Sequence, residues 1–419
     1  MLQASAPGAV RVLYLSYDGM CDPLGRSQVL PYLVQLAKRG YSISLISFEK
    51  PDSWNQDRGS VEQICGEAGI SWHPLRYHKS PPVLSSVYDL MAMRRLAFRL
   101  HRRKPFDFVH CRSYLPGLVG LALKRRCGLP FIFDMRGFWA DERVEGSLWN
   151  LSNPLYAAVF NYFKRRESEL LGEADEIVIL TEAGKSILLE RRASPNDGPP
   201  IEVIPCCVDF DAFAPADPAD RTAARRLLGI SPDAPVVAYL GSIGTWYMMD
   251  EMLDFFRVQV DRHPASTFLI VSRDSPDAIL SAARERGISS DRLIIRPAAR
   301  EEVTELLAAA DYGLFFIKPV FSKKASSPTK MGEFLALELP IVTNGNVGDV
   351  EQIVAETGAG VVVEGFSRSA YAKALEELES LRPDINRWRS AAHRWLDLEA
   401  GVNKYEAVYR SVVARLEAR

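Results

Sequence analysis

ASSPTKMGEFLALELPIVTN, residues 325–344, is the stretch from which the fold class is read. Serines, a threonine and a lysine crowd around Pro328, an apolar helical pattern follows, and the β-rich LPIVTN (339–344) closes it. A capped helix feeding a short apolar strand is one step of an α/β alternation. Ser327 suits the N-cap and Pro328 the first helical position, which places Thr329 and Lys330 in the first turn. Glu333 lies three and four residues further on, so all three share a face. Two readings stand. One is a well-capped surface helix with a solvated lysine. The other is an anion site, in which free N–H groups, a hydroxyl and a cation hold a diphosphate while Glu333 accepts from vicinal sugar hydroxyls.

Working outward, the alternation repeats on both sides. Strand-like runs at 235–242, 266–272, 292–297 and 312–318 precede the opening stretch and GAGVVVE (358–364) follows it. A first series runs through 10–16, 42–48, 106–111, 130–135 and 176–181, with a helix ending at Gly40 between its first two strands. IEVIPCCVDFDAFAPADPAD (201–220), rich in proline and aspartate after a strand-like start, separates the series. The pattern predicts two doubly wound parallel α/β domains joined near residue 210, with a cleft between them. At 419 residues the chain suits two cores better than one. In such sheets ligands bind beyond the carboxyl ends of the strands, so the loops after strands are where chemistry is expected.

Three of those loops stand out. YDGMCDPLGRSQVLP (17–31) carries Gly19 and Gly25, with Gly25-Arg26-Ser27-Gln28 opening a helix: a structural turn or a second anion site, but neither a dinucleotide nor a P-loop fingerprint. FIFDMRGFWADERVEG (131–146) sets Asp134, Arg136, Asp141, Glu142 and Arg143 among Phe138 and Trp139. That is a salt-bridged loop, or a site where carboxylates take sugar hydroxyls and aromatics take a sugar face. YLGSIGTWYMM (239–249) offers Gly241, Gly244, Ser242 and Thr245, with Trp246 and Tyr247 read mainly as packing.

Composition narrows the class. Hydrophobic residues at 47% and charged residues at 25% describe an ordinary globular protein, and a net charge of −2 argues against wholesale nucleic-acid binding. Six cysteines without a C-x-x-C pair are expected as reduced thiols, with neither a zinc site nor a disulfide framework. The start of the chain lacks a signal-peptide layout and no apolar run is long enough to span a bilayer, so a cytoplasmic location is expected. VDFDAF (208–213) contains an Asp-x-Asp pair, but in the connector rather than at a strand end, so no metal is expected. Between Asp89 and Asp107 there is no acid; Arg95, Arg99 and Arg103 share one helical face, with Arg94 and Arg102 close by. Opposite them lie Met93, Leu96, Ala97 and Leu100. This is a solvated face over a core stripe, or a surface for anionic membrane.

Taken in order, DPLGRSQVLPYLVQLAKRGYSISLISFEK, VIPCCVDFDAF, YLGSIGT and SPTKMGEFLALELPIVTN resemble the retaining glycosyltransferases of family GT4. The resemblance implies the GT-B fold, two facing Rossmann-like domains over 1–205 (acceptor side) and 206–395 (donor side), with a helix over 396–419 crossing back to the first. It implies transfer of a sugar from a nucleotide-sugar, with retention and without a metal or other cofactor. The expected acceptor is a saccharide, lipid-linked, in cell-surface polysaccharide or glycolipid assembly. Glu333 matches the second glutamate of the family's E-x7-E motif, the ribose ligand, and Gly25 the glycine loop that nears the donor phosphate. The first motif glutamate is Ala325 here, and the usual arginine and lysine after the second domain's first strand are Ser242 and Tyr247. The histidine often found after the fourth strand is replaced around Asp134 to Arg136. Lys330 and Arg136 are the candidates to replace the lost charge, with Arg26 or Arg273. Donor binding is thus expected at Gly25, Arg26, Gly241, Ser242, Arg273, Ser327, Thr329, Lys330 and Glu333, and catalysis at Asp134, Arg136, Lys330 and Glu333. The acceptor is expected over Phe138 to Arg143. Two rivals are a degenerate subunit partnering another glycosyltransferase and a nucleotide-sugar epimerase.

Overall fold

The computed structural model describes residues 9–194, 196–382 and 384–418; the start of the chain, read above as lacking a leader, lies largely outside them. The chain divides into two compact units. Unit 1 runs through Pro205 and takes in the chain from Gly401 onwards; unit 2 is Cys206–Ala400.

Unit 1 holds seven parallel strands: β1 (Arg11–Ser16), β2 (Ser42–Glu49), β3 (Ser71–Arg76), β4 (Phe108–Arg112), β5 (Phe131–Asp134), β6 (Glu176–Ile179) and β7 (Ile201–Val203). Their order is β3-β2-β1-β4-β5-β6-β7, so the winding reverses between β1 and β4. Unit 2 holds β8 (Val236–Leu240), β9 (Thr267–Val271), β10 (Leu293–Arg296), β11 (Tyr312–Leu314), β12 (Ile341–Asn344) and β13 (Gly360–Val363). Their order is β10-β9-β8-β11-β12-β13, reversing between β8 and β11. Both are doubly wound Rossmann-like sheets. The central strands β4, β5, β8 and β9 are buried at every position, as strands covered by helices on both faces must be.

One strand escapes the apolar reading. SWHPLR forms β3, an edge strand with no fully buried residue, where Pro74 is tolerated because one side of the ladder is open. β7 is only three residues long. Local details also shift. The helix Pro23–Gln28 starts at Pro23 behind Asp22, so Gly25 to Gln28 lie inside it rather than opening it. A Cβ on Gly25 would fall 2.1 Å from the Gly19 carbonyl oxygen, so glycine is required there by the loop's own packing. The helix Leu398–Glu417 packs on unit 1, where Tyr409 meets Phe108, Tyr41 and His110 edge-on. Among the described residues no helix is long and apolar enough to cross a membrane, and all six cysteines are free, only Cys127 being exposed.

Candidate active site

In unit 2 the polar residues gather where the winding reverses, at the carboxyl ends of β8 and β11. The helix Thr329–Ala336 begins one residue later than its sequence suggests. Pro328 holds the cap position, and the Ser327 hydroxyl instead accepts from the Cys206 amide at 3.1 Å. Thr329 is half-buried at the first helical position.

Lys330 is not solvated. It is buried, and its amine donates to the Tyr239 hydroxyl at 2.9 Å. The amine lies 4.0 Å from the Tyr239 ring centroid and 3.3 Å from that of Tyr247. Burial pushes the Lys330 ammonium well below the usual lysine range, with the Glu333 carboxylate pulling weakly the other way. Tyr239 donates in turn to the Ser242 carbonyl at 2.5 Å, holding the turn that follows β8. Gly241 adopts φ +112°, and a Cβ there would lie 3.4 Å from the Lys330 amine. Glycine therefore supplies the backbone conformation and leaves the amine uncovered on that side. The turn is further fixed by Asp274, which accepts from the Ile243 amide at 2.5 Å, and by a short antiparallel bridge between Tyr247 and Ile317. Ser242 and Arg273 are exposed on the two loops so joined.

Glu333 is buried one turn further on, and its Oε1 accepts from Arg300 at 2.9 Å. Arg300 lies over the Phe213 ring. Sequence reasoning missed Arg300, which comes from PAARE, a stretch without motif or periodicity. It also missed the neighbouring Lys323, whose amine sits 3.8 Å from the Trp246 ring centroid. Trp246 and Tyr247 thus pack, as read, but what they pack on is a pair of lysines.

In unit 1 the polar cluster lies at the ends of β1, β4 and β5. Asp134 is wholly buried; it accepts from the Tyr405 hydroxyl at 3.0 Å and stands 3.4 Å from His110 Nε2. Burial works against its charge, but Arg136, the His110 contact and Arg112 outweigh it and hold the carboxyl below the usual range. Arg112, also buried, donates to Asp18 at 3.0 Å. Asp134 Oδ1 and Arg112 Nη1 are buried without a hydrogen-bond partner, although Arg136 Nη1 is an ionic neighbour of that oxygen at 3.7 Å. Arg136 is half-buried and held at φ +58°, a conformation that a non-glycine residue keeps only where its surroundings impose it. Asp134, with no surface of its own, thus faces Arg136 and Arg112 and is not presented to an acceptor hydroxyl. His110, Arg112 and Tyr405 were missed because they read as strand and helix interior.

The loop after Arg136 is largely structural. Phe138 is core, with Arg191 over its ring. Trp139 packs among Tyr114, Trp149 and Phe163, with Arg143 stacked on it. Asp141 accepts from Lys164 at 2.8 Å. Phe138 is thus removed as a sugar platform; Glu142 and Arg143 stay half-buried. Arg26 is ion-paired with Asp57 at 2.8 Å on unit 1. The VDFDAF aspartate Asp209 accepts from the amides of Asp211 and Ala212, capping its own turn. Among the described residues no cluster of three or more His, Cys, Asp or Glu residues could hold a metal ion.

Two family models match along the chain: a glycosyl transferase 4-like domain over residues 26–207 and glycosyl transferases group 1 over 234–380. The chain belongs to the GT4 family of glycosyltransferases. It is 27% identical over 300 residues to D-inositol 3-phosphate glycosyltransferase of Mycobacterium sp. (strain KMS), covering 70% of this chain and 63% of that protein. The same enzyme of Segniliparus rotundus is 26% identical, over 82% and 74% of the two chains. The chain thus spans a little under two thirds of the first of these relatives. Among solved structures, sucrose-phosphate synthase of Thermosynechococcus elongatus superposes with a TM-score of 0.73 at 16% identity, over 97% of this chain and 100% of that one. Anabaena Alr3699/HepE, in complex with UDP and glucose, gives 0.69 at 12%, over 96% and 100%. WaaG, a glycosyltransferase involved in lipopolysaccharide biosynthesis, gives 0.67 at 16%, over 95% and 99%. This GT4 chain accordingly has the GT-B fold.

Proposed function

We propose that the protein is a retaining, metal-independent glycosyltransferase. It moves a sugar from a nucleotide-sugar bound on unit 2 to a saccharide acceptor bound on unit 1, and the acceptor is lipid-linked, as in surface polysaccharide or glycolipid assembly. The observation that carries this reading is the Lys330 amine, buried on Tyr239 and Tyr247 beside Gly241 at the reversal point of the unit 2 sheet. An amine already stripped of water and set beside a glycine suits a diphosphate, whose charge draws a proton onto it and whose attraction for the resulting ammonium is not diluted by solvent. Thr329 adds a hydroxyl and the helix start adds free amides. Glu333, fixed by Arg300, takes the ribose, and Ser242 and Arg273 border the same loops.

Catalysis is then mainly positioning and charge stabilisation. As the sugar–phosphate bond breaks, negative charge grows on the leaving phosphate, where Lys330 stabilises it. The acceptor hydroxyl attacks from the same face and its proton passes to the leaving phosphate oxygen, which accounts for retention without a protein nucleophile. On unit 1, Arg136, oriented by Asp134, and the half-buried Glu142 and Arg143 are the acceptor contacts. The expected site of action is the inner face of the cytoplasmic membrane.

A thermal-shift panel of UDP, GDP, ADP, TDP and CMP on wild type and Glu333→Ala tests the reading. A nucleotide at a hundredfold its dissociation constant stabilises the fold by about 2.7 kcal/mol. A shift with one nucleotide, lost in the variant, supports the proposal. No shift with any nucleotide points to a degenerate subunit, and a new sugar nucleotide formed from donor alone points to an epimerase.

A further inference from the structure

The helix Leu84–Arg103 is twenty residues long and runs along unit 1 with one side inward: Ser85, Asp89, Met93 and Ala97 are its buried positions. The Met93 and Ala97 stripe is thus core, not the second half of an amphipathic surface helix. The outward side, however, is divided along its length. At about 100° per residue, Leu84, Val87, Tyr88, Met91, Arg95, Phe98, Arg99 and Arg102 fall within about 60° of one line, opposite the buried stripe. The first four are exposed by 67%, 41%, 59% and 50%. Arg95, Arg99, Arg102 and the flanking Arg103 are exposed as well, while Arg94 folds back over Phe98.

An exposed apolar run at i, i+3, i+4 and i+7 is what a helix presents to something it buries against. The charge beside it says what that is. Four exposed arginines follow on from the apolar run and no acid lies between Asp89 and Asp107. Asp89 is turned inward, accepting from Tyr17 at 3.0 Å and from the His78 amide at 3.1 Å. A surface that is apolar at one end and uniformly basic at the other matches acyl chains below a layer of anionic headgroups. The placement is also telling. Tyr17 follows β1 directly, and its neighbour Asp18 accepts from Arg112 beside Asp134. The apolar half of the helix is therefore pinned to the loop after β1, which Arg112 links to Asp134 at the start of the loop that carries the acceptor candidates.

We propose that the outward side of the helix Leu84–Arg103 docks on an anionic lipid bilayer. Leu84, Val87, Tyr88 and Met91 enter the interface, and Arg95, Arg99 and Arg102 meet headgroup phosphates. This rests on the transferase reading only for its purpose, bringing the acceptor site to a lipid-linked substrate; the docking itself needs no donor.

The test is cosedimentation of the full chain with phosphatidylcholine vesicles with and without phosphatidylglycerol, at about 0.15 M and about 1 M salt, where screening shortens to about 3 Å. Wild type is expected on the anionic vesicles at the lower salt and to be weakened, not abolished, at the higher. With each basic residue near the surface contributing about fivefold, Arg95→Gln/Arg99→Gln/Arg102→Gln should lose roughly a hundredfold in affinity and its salt dependence. Leu84→Glu/Met91→Glu should fail to bind at either salt. Both variants alter exposed side chains, and an unchanged circular dichroism melt confirms that they fold. Failure of wild type to bind anionic vesicles, or equal binding by all three proteins, overturns the proposal. So does light scattering that shows a dimer of wild type lost in the Leu84/Met91 variant, since a second copy then covers this side. Nucleotide thermal shifts on the same samples report separately on the transferase reading.

Discussion

Replacing Lys330 by methionine should stabilise the protein at neutral pH and remove its nucleotide binding, and the pH dependence of the stability gain tests the electrostatics behind the site. The amine is buried, with one hydrogen bond to Tyr239 and two tyrosine faces for company. Cation–π attraction offers about 0.5–2 kcal/mol per ring, whereas taking an ammonium out of water costs several kcal/mol, more than the rings return. The folded state therefore favours the neutral amine, and the folded pKa lies well below the ordinary value. In the unfolded chain a lysine titrates near about 10.4. Between the two values the unfolded state binds one more proton than the folded state, so wild-type stability must rise with pH by about 1.4 kcal/mol per unit from this group alone. Methionine has no proton to lose. The gain of Lys330→Met over wild type is thus greatest at the low end of that window and shrinks at the same slope toward the unfolded value. Denaturant titrations of both proteins at several pH values from about 7 to about 9.5 measure it. A difference that stays flat with pH would show that the amine remains charged, so that the tyrosine faces win, and the argument that burial neutralises it would fail.

Other expectations follow from individual contacts. Asp134→Asn keeps the size but removes the charge that faces Arg136, Arg112 and His110; turnover should fall by at least tenfold with donor binding unchanged, and full turnover would show that Arg136 needs no such partner. His110 is buried and burial lowers its pKa. The unfolded chain takes up a proton below about 6.5 that the folded state refuses, so stability should drop as pH falls through that range, and His110→Gln should blunt the drop in a thermal melt series. Gly313→Ala would put a methyl 2.4 Å from the Phe334 ring; a loss of about 1–3 kcal/mol in denaturant titration is expected, and a neutral result would mean the ring can move aside. Arg300→Ala leaves the Glu333 carboxylate without its ion pair and should weaken nucleotide binding more than it weakens the fold.

How much of this was legible in the sequence depends on which interactions write themselves locally. Fully buried parallel strands such as VVAYL and TFLIV must be apolar throughout, so their reading carried over, and with it the double winding. SWHPLR did not announce itself, because an edge strand leaves its side chains half in water and has no apolar run to show. In the site, residues that act through a local spacing were visible: Lys330 and Glu333 share a face of one short helix, and Gly241 sits in a turn after a strand. Residues recruited from elsewhere were not. Arg300 reaches Glu333 across 33 positions of chain and Tyr405 reaches Asp134 across 271, and no local pattern records either meeting. The same distinction explains why two alternatives stayed open in the sequence. A lysine in a first helical turn reads equally as a solvated cation or as an anion ligand, and only its tyrosine neighbours, some 90 residues away, make it a buried one. A charged and aromatic loop such as FWADER reads as a sugar site, but Phe138 is core, and Trp139 closes an aromatic cluster with Tyr114, Trp149 and Phe163. On the proposed reading, the cations that the β8 loop lacks at Ser242 and Tyr247 have counterparts in Lys330 and Lys323, whose amines lie on the rings of Tyr247 and Trp246 in that same loop. The aromatic residues that stand in the loop would then position the charge that the loop itself does not supply. On this argument Tyr247 and Lys330 form one functional unit. Tyr247→Lys combined with Lys330→Met should restore more nucleotide binding than either change leaves alone, and strict additivity of the two losses would break that link.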